Sequence, residues 1–425
     1  MNVLRERLMF LCSRQKRMIA VIFLIAISVV ASLIIYIPKY LKYLDSQCYI
    51  PIFNTTIKIS RHLPSSYLIK SQKILEYYHI DPNNLIIDEL SRKSYDDSGV
   101  VSYNTHDKVI NYAQKLSTTY AVLQNKYVNS WSLICDGKYI YIMEDYWAYR
   151  YDLKQYQHTL VGTYENVIAI GDRHADEYGH FFIDVLAPLM CIPRDIWKYS
   201  KIVVKGNNPY CTELLLSLNF TVSQILYLKE GEWILAKNLH TTLYPPSYFR
   251  HPGTAYRNLS IYLKQAFGVY DIKPTRYVLM NRDKNQKRRI SNLDGIKTML
   301  SVLYPDILWG DLRDLYPDIR SSAVSYASIK FLFGITGSNL IRTFFMHPKT
   351  VVVSCQLDFN DFNMQSIALV NEVMYFTFST RGYNHYTYLP IYLHVEDALR
   401  AIKIGMYAAE HGKFPTNSTE YPYLR

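Results

Sequence analysis

Val167–Leu189 reads VIAIGDRHADEYGHFFIDVLAPL. The first four residues are an apolar run of the kind that forms a short buried strand, and Gly171 ends it. Phe181, Phe182, Val185, Leu186 and Leu189 then fall at helical spacing and make one apolar stripe, so a helix is expected from about Tyr178. His180 and Asp184, four apart, fall off that stripe, and Pro188 should bend or end the helix. The unit is therefore strand, loop, helix. In an open parallel sheet, ligands bind beyond the carboxyl ends of the strands. That is where Asp172, His174, Asp176, Glu177, His180 and Asp184 crowd together. Helix dipoles favour acids at a helix start in any case, and a His–Asp pair at i, i+4 is a common structural contact. The cluster matches neither an H-E-x-x-H pattern nor a common zinc spacing, so no metal site is expected.

The same alternation recurs downstream. Tyr139-Ile-Tyr-Ile-Met and Lys201-Ile-Val-Val read as strands, as do Arg276-Tyr-Val-Leu-Met, Asp306-Ile-Leu-Trp, Phe331-Leu-Phe-Gly-Ile-Thr and Thr350-Val-Val-Val-Ser. Between them, Ser321–Lys330 reads as a helix with Val324, Ala327 and Phe331 on one face. Leu340–Met346 and Val395–Ala409 read as further helices. Strands alternating with helices predict an α/β fold with a parallel sheet.

Two further places carry chemistry. Arg282, Lys284, Lys287, Arg288 and Arg289 follow the strand at 276–280 directly. Arginine presents a planar fork of donors that matches phosphate oxygens, so this run is a candidate diphosphate clamp; the plainer reading is a solvated basic loop. Gly337-Ser338-Asn339 joins a strand to a helix, where the first backbone N–H groups are available to an anion. Ser338 or Asn339 as an ordinary N-cap is the plainer reading there.

Met18–Ile37 is an uncharged run of twenty residues, about 30 Å of helix, which is the thickness of a hydrocarbon core. Arg5, Arg7, Arg14, Lys16 and Arg17 precede it, so residues 1–17 are expected to stay cytosolic. Residues 18–37 are then a signal anchor, and the rest is luminal. A short stem at 38–60 leads to one α/β domain at 61–268 and a second at 269–425, divided near the turn-rich 244–253 stretch. Asn54, Asn219, Asn258 and Asn417 head glycosylation acceptor patterns, which suits a lumen. Five cysteines after the anchor are an odd number, so at least one stays free or pairs between chains. The formal net charge of +11 favours anionic partners, and the luminal topology argues against nucleic acid among them.

Three stretches, in this order, resemble blocks of glycosyltransferase family 61. The first is Tyr178-Gly-His-Phe-Phe-Ile-Asp-Val-Leu-Ala-Pro-Leu. The second runs from Leu279-Met-Asn-Arg282 through Arg288-Arg-Ile-Ser-Asn292. The third runs from Gly334 to Val353. The third departs from the family's His-Gly-Ala: Thr336 stands where the His would be, and the final Glu of the block is missing.

The resemblance implies a GT-B-like arrangement, two Rossmann-like domains facing a cleft. It implies a nucleotide-sugar donor, usually a UDP-sugar, with inversion at the anomeric carbon. The donor is a co-substrate, and no separate cofactor is expected. The N-terminal domain would take the glycan or glycoprotein acceptor, with Asp184 and His180 as leading candidates for the base and Asp176 and Glu177 behind them. Arg282, Arg288, Arg289, Asn292, Thr336, Gly337, Ser338 and Asn339 would hold the donor. The chain has no Asp-x-Asp pair, which points to cationic side chains rather than a metal at the diphosphate. The expectation is a type II membrane glycosyltransferase of the Golgi or endoplasmic reticulum. A catalytically inactive luminal binding protein of the same fold is the alternative, motivated by Thr336.

Overall fold

A computed structural model describes residues 47–50, 55–60, 62–87, 106–141, 158–171, 173–243, 252–312, 316–357, 361–380, 382–383 and 387–416. The expected anchor at 18–37, most of the stem, Asp172 and the turn-rich 244–251 segment lie outside these. Among the described residues no helix is long and apolar enough to cross a membrane.

The chain divides into two compact units. The smaller comprises Met1–His62 and Cys135–His158. In it, strand β1 (Gln47–Ile50) pairs antiparallel with β2 (Thr55–Ser60). The larger unit comprises Leu63–Ile134 and Thr159–Arg425, and it holds every candidate site residue.

In the larger unit, β3 (Leu68–Tyr77) is followed by β4 (Leu85–Ile87), helix α1 (His106–Gln114) and the long β5 (Lys115–Asn129). The short β6 (Ile134–Cys135) follows, then β7 (Tyr139–Tyr141) of the smaller unit, which runs parallel to β2. Next come β8 (Thr159–Ile168), a helical segment from Tyr178, and β9 (Lys201–Lys205). Helix α2 (Pro209–Ser217), β10 (Ile225–Leu228) and β11 (Glu232–Leu243) complete this half. Its sheet is mixed. β5 runs antiparallel to both β3 and β11, whereas β11, β8, β9 and β10 are parallel.

Helix α3 (Gly253–Ala266) leads into the second sheet. There β12 (Arg276–Met280), α4 (Leu293–Leu303), β13 (Trp309–Leu312), α5 (Ile319–Ala327) and β14 (Ile329–Ile335) alternate. A 3-10 helix, Ser338–Phe345, precedes β15 (Val351–Gln356), α6 (Phe362–Val370), β16 (Met374–Ser379) and α7 (Val395–His411). All strand pairs are parallel, in the order β13-β12-β14-β15-β16-β4. Strand β4, from far earlier in the chain, closes this sheet's edge. Such strands are buried on both faces, which explains the unbroken apolar runs at 331–335 and 351–353. One core holds the inner faces of α5, α6 and the 3-10 helix; another holds α4 and α7. Helices therefore cover both faces. The chain starts at β12, steps to β13, then reverses past β12 to β14, so the switch point lies between β12 and β14.

Several sequence expectations shift. The strand expected at 306–309 occupies Trp309–Leu312, because Pro305 precedes it and Leu308 is 93% exposed. On α5 the buried residues are Ile319, Ser322, Ala323, Tyr326 and Ala327, and Val324 faces solvent. The helix expected at 340–346 is a 3-10 helix that starts at Ser338. Asn219 and Asn258 are exposed. Cys135, Cys191, Cys211 and Cys355 are buried, and Cys191, Cys211 and Cys355 form no disulfide.

Candidate active site

The helical segment of the opening stretch is continuous but not uniform. It is α-helical at Tyr178–His180, π-helical at Phe181–Leu186 and α-helical again at Ala187–Leu189. Pro188 has no N–H to offer the carbonyl four residues back, and the wider turn satisfies the chain differently: Ala187 N–H donates to Phe182 O. Within this turn His180 Nδ1 lies 2.7 Å from Asp184 Oδ2. The Asp184 side chain is almost fully buried and its Oδ1 has no hydrogen-bond partner, while the imidazole is 32% exposed. An ionised carboxylate only accepts, so it fixes the proton on Nδ1 and leaves Nε2 with a lone pair. His174 stacks near His180, with ring centroids 5.1 Å apart. Glu177 accepts from His174 at 2.9 Å; that hydrogen bond, helped by the charges of His180 and Lys205, holds the Glu177 carboxyl below its ordinary range.

Asp176 has a different role. Its carboxylate takes the Lys205 ammonium at 2.9 Å, beside Glu230 at 3.2 Å and the Arg173 carbonyl at 2.5 Å. Its own carbonyl accepts from Asn208 and Tyr210. Asp176 ties the loop to the end of β9.

The helical segment packs onto the second half of the unit through its smallest residue. A Cβ on Gly179 would lie 3.3 Å from Ser338 Cβ and 3.4 Å from Ile341 Cγ1. The glycine keeps this approach free of side-chain crowding, and a Cβ would need Ser338 and Ile341 to give by a few tenths of an ångström. Below this contact Phe182 stacks on Phe344, centroids 5.9 Å apart, and the Arg342 guanidinium lies 4.6 Å from the Tyr178 ring centre. Each buried aromatic of this kind contributes on the order of 3–5 kcal/mol, so the two walls meet on a firm base.

The opposite wall is built at the carboxyl ends of β12 and β14. After β12, the side chain of Asn281 accepts from the N–H groups of Arg282 and Ile290 at 2.9 Å each and donates to Ile290 O at 2.8 Å. This closes the basic loop on itself. Arg288 sits in the left-handed region, φ 64°, with its N–H on Thr387 O. Arg282, Arg288 and Arg289 are half-buried, whereas Lys284 is exposed. After β14, Gly337 has φ +151°. A Cβ there would lie 3.2 Å from Arg288 Nη2 and 3.3 Å from Arg282 Nη1. Two guanidinium groups therefore flank the Gly337-Ser338 turn, which in turn touches Gly179 and thus the His180 turn.

Other expected residues are engaged differently. Asn292 donates to Leu393 O at 2.8 Å and accepts from Leu393 N–H at 3.0 Å, which staples the loop after β12 to the chain before α7. Asn339 is buried, with Oδ1 accepting from Arg342. Thr336 is fully buried, and its hydroxyl points at Asp361 Oδ2, 3.4 Å away.

Asp361 is the residue that the sequence reading missed. It is 7% exposed, at the start of α6. Burial drives its carboxyl above the ordinary value, opposed by the Arg288 charge, the Met364 N–H, the Thr336 hydroxyl and, least, the His180 charge. One carboxylate thus senses both walls. In the sequence it reads as a helix cap, yet its side chain makes no cap hydrogen bond. A cavity of about 550 Å³ opens elsewhere, near the amino end of β12, lined by Tyr277, Tyr304 and Tyr407; none of the expected site residues lines it.

Two arginines thus stand at a sheet's switch point, against a turn that also touches the helix carrying the His–Asp pair. In comparison with known families, the family described as Glycosyltransferase 61 matches residues 178–353, from the His180 turn to β15. The match takes in all three of the sequence blocks and supports a glycosyltransferase. No curated protein matches the chain.

Proposed function

We propose that the protein transfers a sugar from a nucleotide-sugar, a UDP-sugar in the first instance, to a hydroxyl of a glycan or glycoprotein, with inversion and without a metal. The observation that carries the proposal is the convergence of Arg282, Arg288 and Gly337 on one turn that also touches the helix bearing His180. The donor diphosphate would lie against the two guanidinium groups and the start of the Ser338–Phe345 helix, whose first N–H groups lack intrahelical partners. As the acceptor hydroxyl attacks the anomeric carbon, the bond to the diphosphate breaks, and negative charge grows on its oxygen. Fixed cations in a partly dry site stabilise that charge more than water does. The hydroxyl proton passes to His180 Nε2, and Asp184 stabilises the imidazolium that forms. The uncharged run at 18–37 would hold the domain on the luminal side of a Golgi or endoplasmic reticulum membrane. These finer assignments extend the family match rather than restate it.

The test is UDP titration and UDP-sugar turnover with the wild-type protein and the Arg282→Ala/Arg288→Ala variant. Two charge-assisted contacts of about 1.5–3 kcal/mol each predict at least a hundredfold loss of UDP affinity and loss of turnover. Equal UDP affinity in both proteins rejects the clamp.

A further inference from the structure

Asp361 has no part in the mechanism above, yet its buried carboxylate lies under the influence of Arg288 and His180 and beside Thr336. Arg288 faces it from the loop after β12, His180 from the helical segment, Thr336 from the turn after β14, and Tyr375 from β16. Its Oδ2 has one long hydrogen bond from Thr336, and its buried Oδ1 has no partner. A carboxylate so enclosed is costly unless cations face it. Because it is buried, its charge is also poorly screened by salt and acts over several ångströms. Arg288 lies both within that reach and against Gly337.

We propose that Asp361 is a negative charge built in behind the Arg282–Arg288 clamp, holding its affinity for a nucleoside diphosphate down so that the leaving nucleotide is released after transfer. This rests on the reading of Arg282 and Arg288 as the diphosphate clamp. A bound diphosphate and Asp361 compete for the same guanidinium, and Asp361 answers by taking one proton from solvent, its carboxylate becoming a carboxylic acid. The sign follows. Binding of an anion raises further a carboxyl that burial has already raised, so nucleotide binds more tightly as pH falls through that range.

The experiment is UDP titration of the purified full chain by calorimetry, wild type against Asp361→Asn, near pH 8 and again at the lowest pH at which both proteins stay folded. Asn keeps the size and still accepts from Thr336. The expected result is roughly five- to tenfold tighter UDP binding by Asp361→Asn at the higher pH, about one pKa unit of relieved repulsion, with the gap narrowing at the lower pH. In buffers of different ionisation enthalpy the wild type should also take up more protons on binding than the nucleotide's own phosphate accounts for. Unchanged or weaker binding by a folded Asp361→Asn overturns the inference. If that variant does not fold, wild-type uptake no greater than the nucleotide's own overturns it instead. A wild type that binds no UDP sinks the clamp reading and this inference together; normal binding without tightening sinks this one alone.

Discussion

Asp176 and Asp184 stand on the same short stretch, and the sequence offered both as proton acceptors, Asp184 ahead of Asp176. Their partners separate them. Asp176 meets a lysine that belongs to the neighbouring strand, so its charge fastens a loop to a sheet. Asp184 meets a histidine one turn away on its own helix, and that histidine stays about a third exposed, next to the glycine that packs on Ser338. A carboxylate paired with a cation from the scaffold is committed to the fold. One paired with an imidazole that can still reach solvent is available for proton transfer.

The sharpest break of that comparison is a pair of substitutions. His180→Ala should lower turnover about 10²- to 10⁴-fold, the usual range for a lost general base, with UDP affinity within about twofold of wild type. Asp176→Asn should do the reverse: turnover per folded molecule within a few-fold, and stability lower by roughly 1.5–3 kcal/mol, as for a hydrogen bond to a charged group. Steady-state kinetics and denaturant melts separate the two. If Asp176→Asn abolishes turnover with normal melting, the assignment is inverted.

Gly337→Ala comes next. The added Cβ meets φ +151° and the tips of both arginines, so strain of about 1–3 kcal/mol should push the guanidinium groups apart and weaken UDP about tenfold. Titration of UDP checks it, and an unaffected affinity would mean that the turn is not the floor of the clamp. The smallest effect is Glu177. Its folded-state carboxyl titrates below the ordinary value because His174 hydrogen-bonds to it, so its contribution is present above about pH 4.3 and is lost as pH falls through the folded-state value. Glu177→Gln should therefore flatten the acid side of the stability profile, read by melts between about pH 3 and 6, and an unchanged slope would remove Glu177 from the network.

Much of the second sheet was legible because parallel buried strands are written as unbroken apolar runs. Arg276–Met280 has the bounds that its composition suggests, and Val351–Gln356 nearly so. Trp309–Leu312 was harder, since an edge strand has less apolar surface to bury and the true strand carries Gly310 and Asp311. The pairing of β4 with β16 was not legible at all; register between segments so far apart is set by packing that no local pattern records. At the site, the Gly-His pair and the arginines could be seen as chemistry, but the reason for Gly179 appears only once Ser338 stands against it. Thr336, noted as a departure from the family pattern, is buried against Asp361, and neither residue announces the other in one dimension.

The central claim is that one crevice, with Arg282 and Arg288 on one side and His180 on the other, receives the nucleotide. A crystal structure of the protein with UDP tests it most directly. The account predicts the diphosphate against Gly337, within hydrogen-bond distance of both guanidinium groups, and the His180 ring facing the vacant sugar position. UDP bound in the cavity at Tyr277, Tyr304 and Tyr407, with the Gly337 turn untouched, would contradict it.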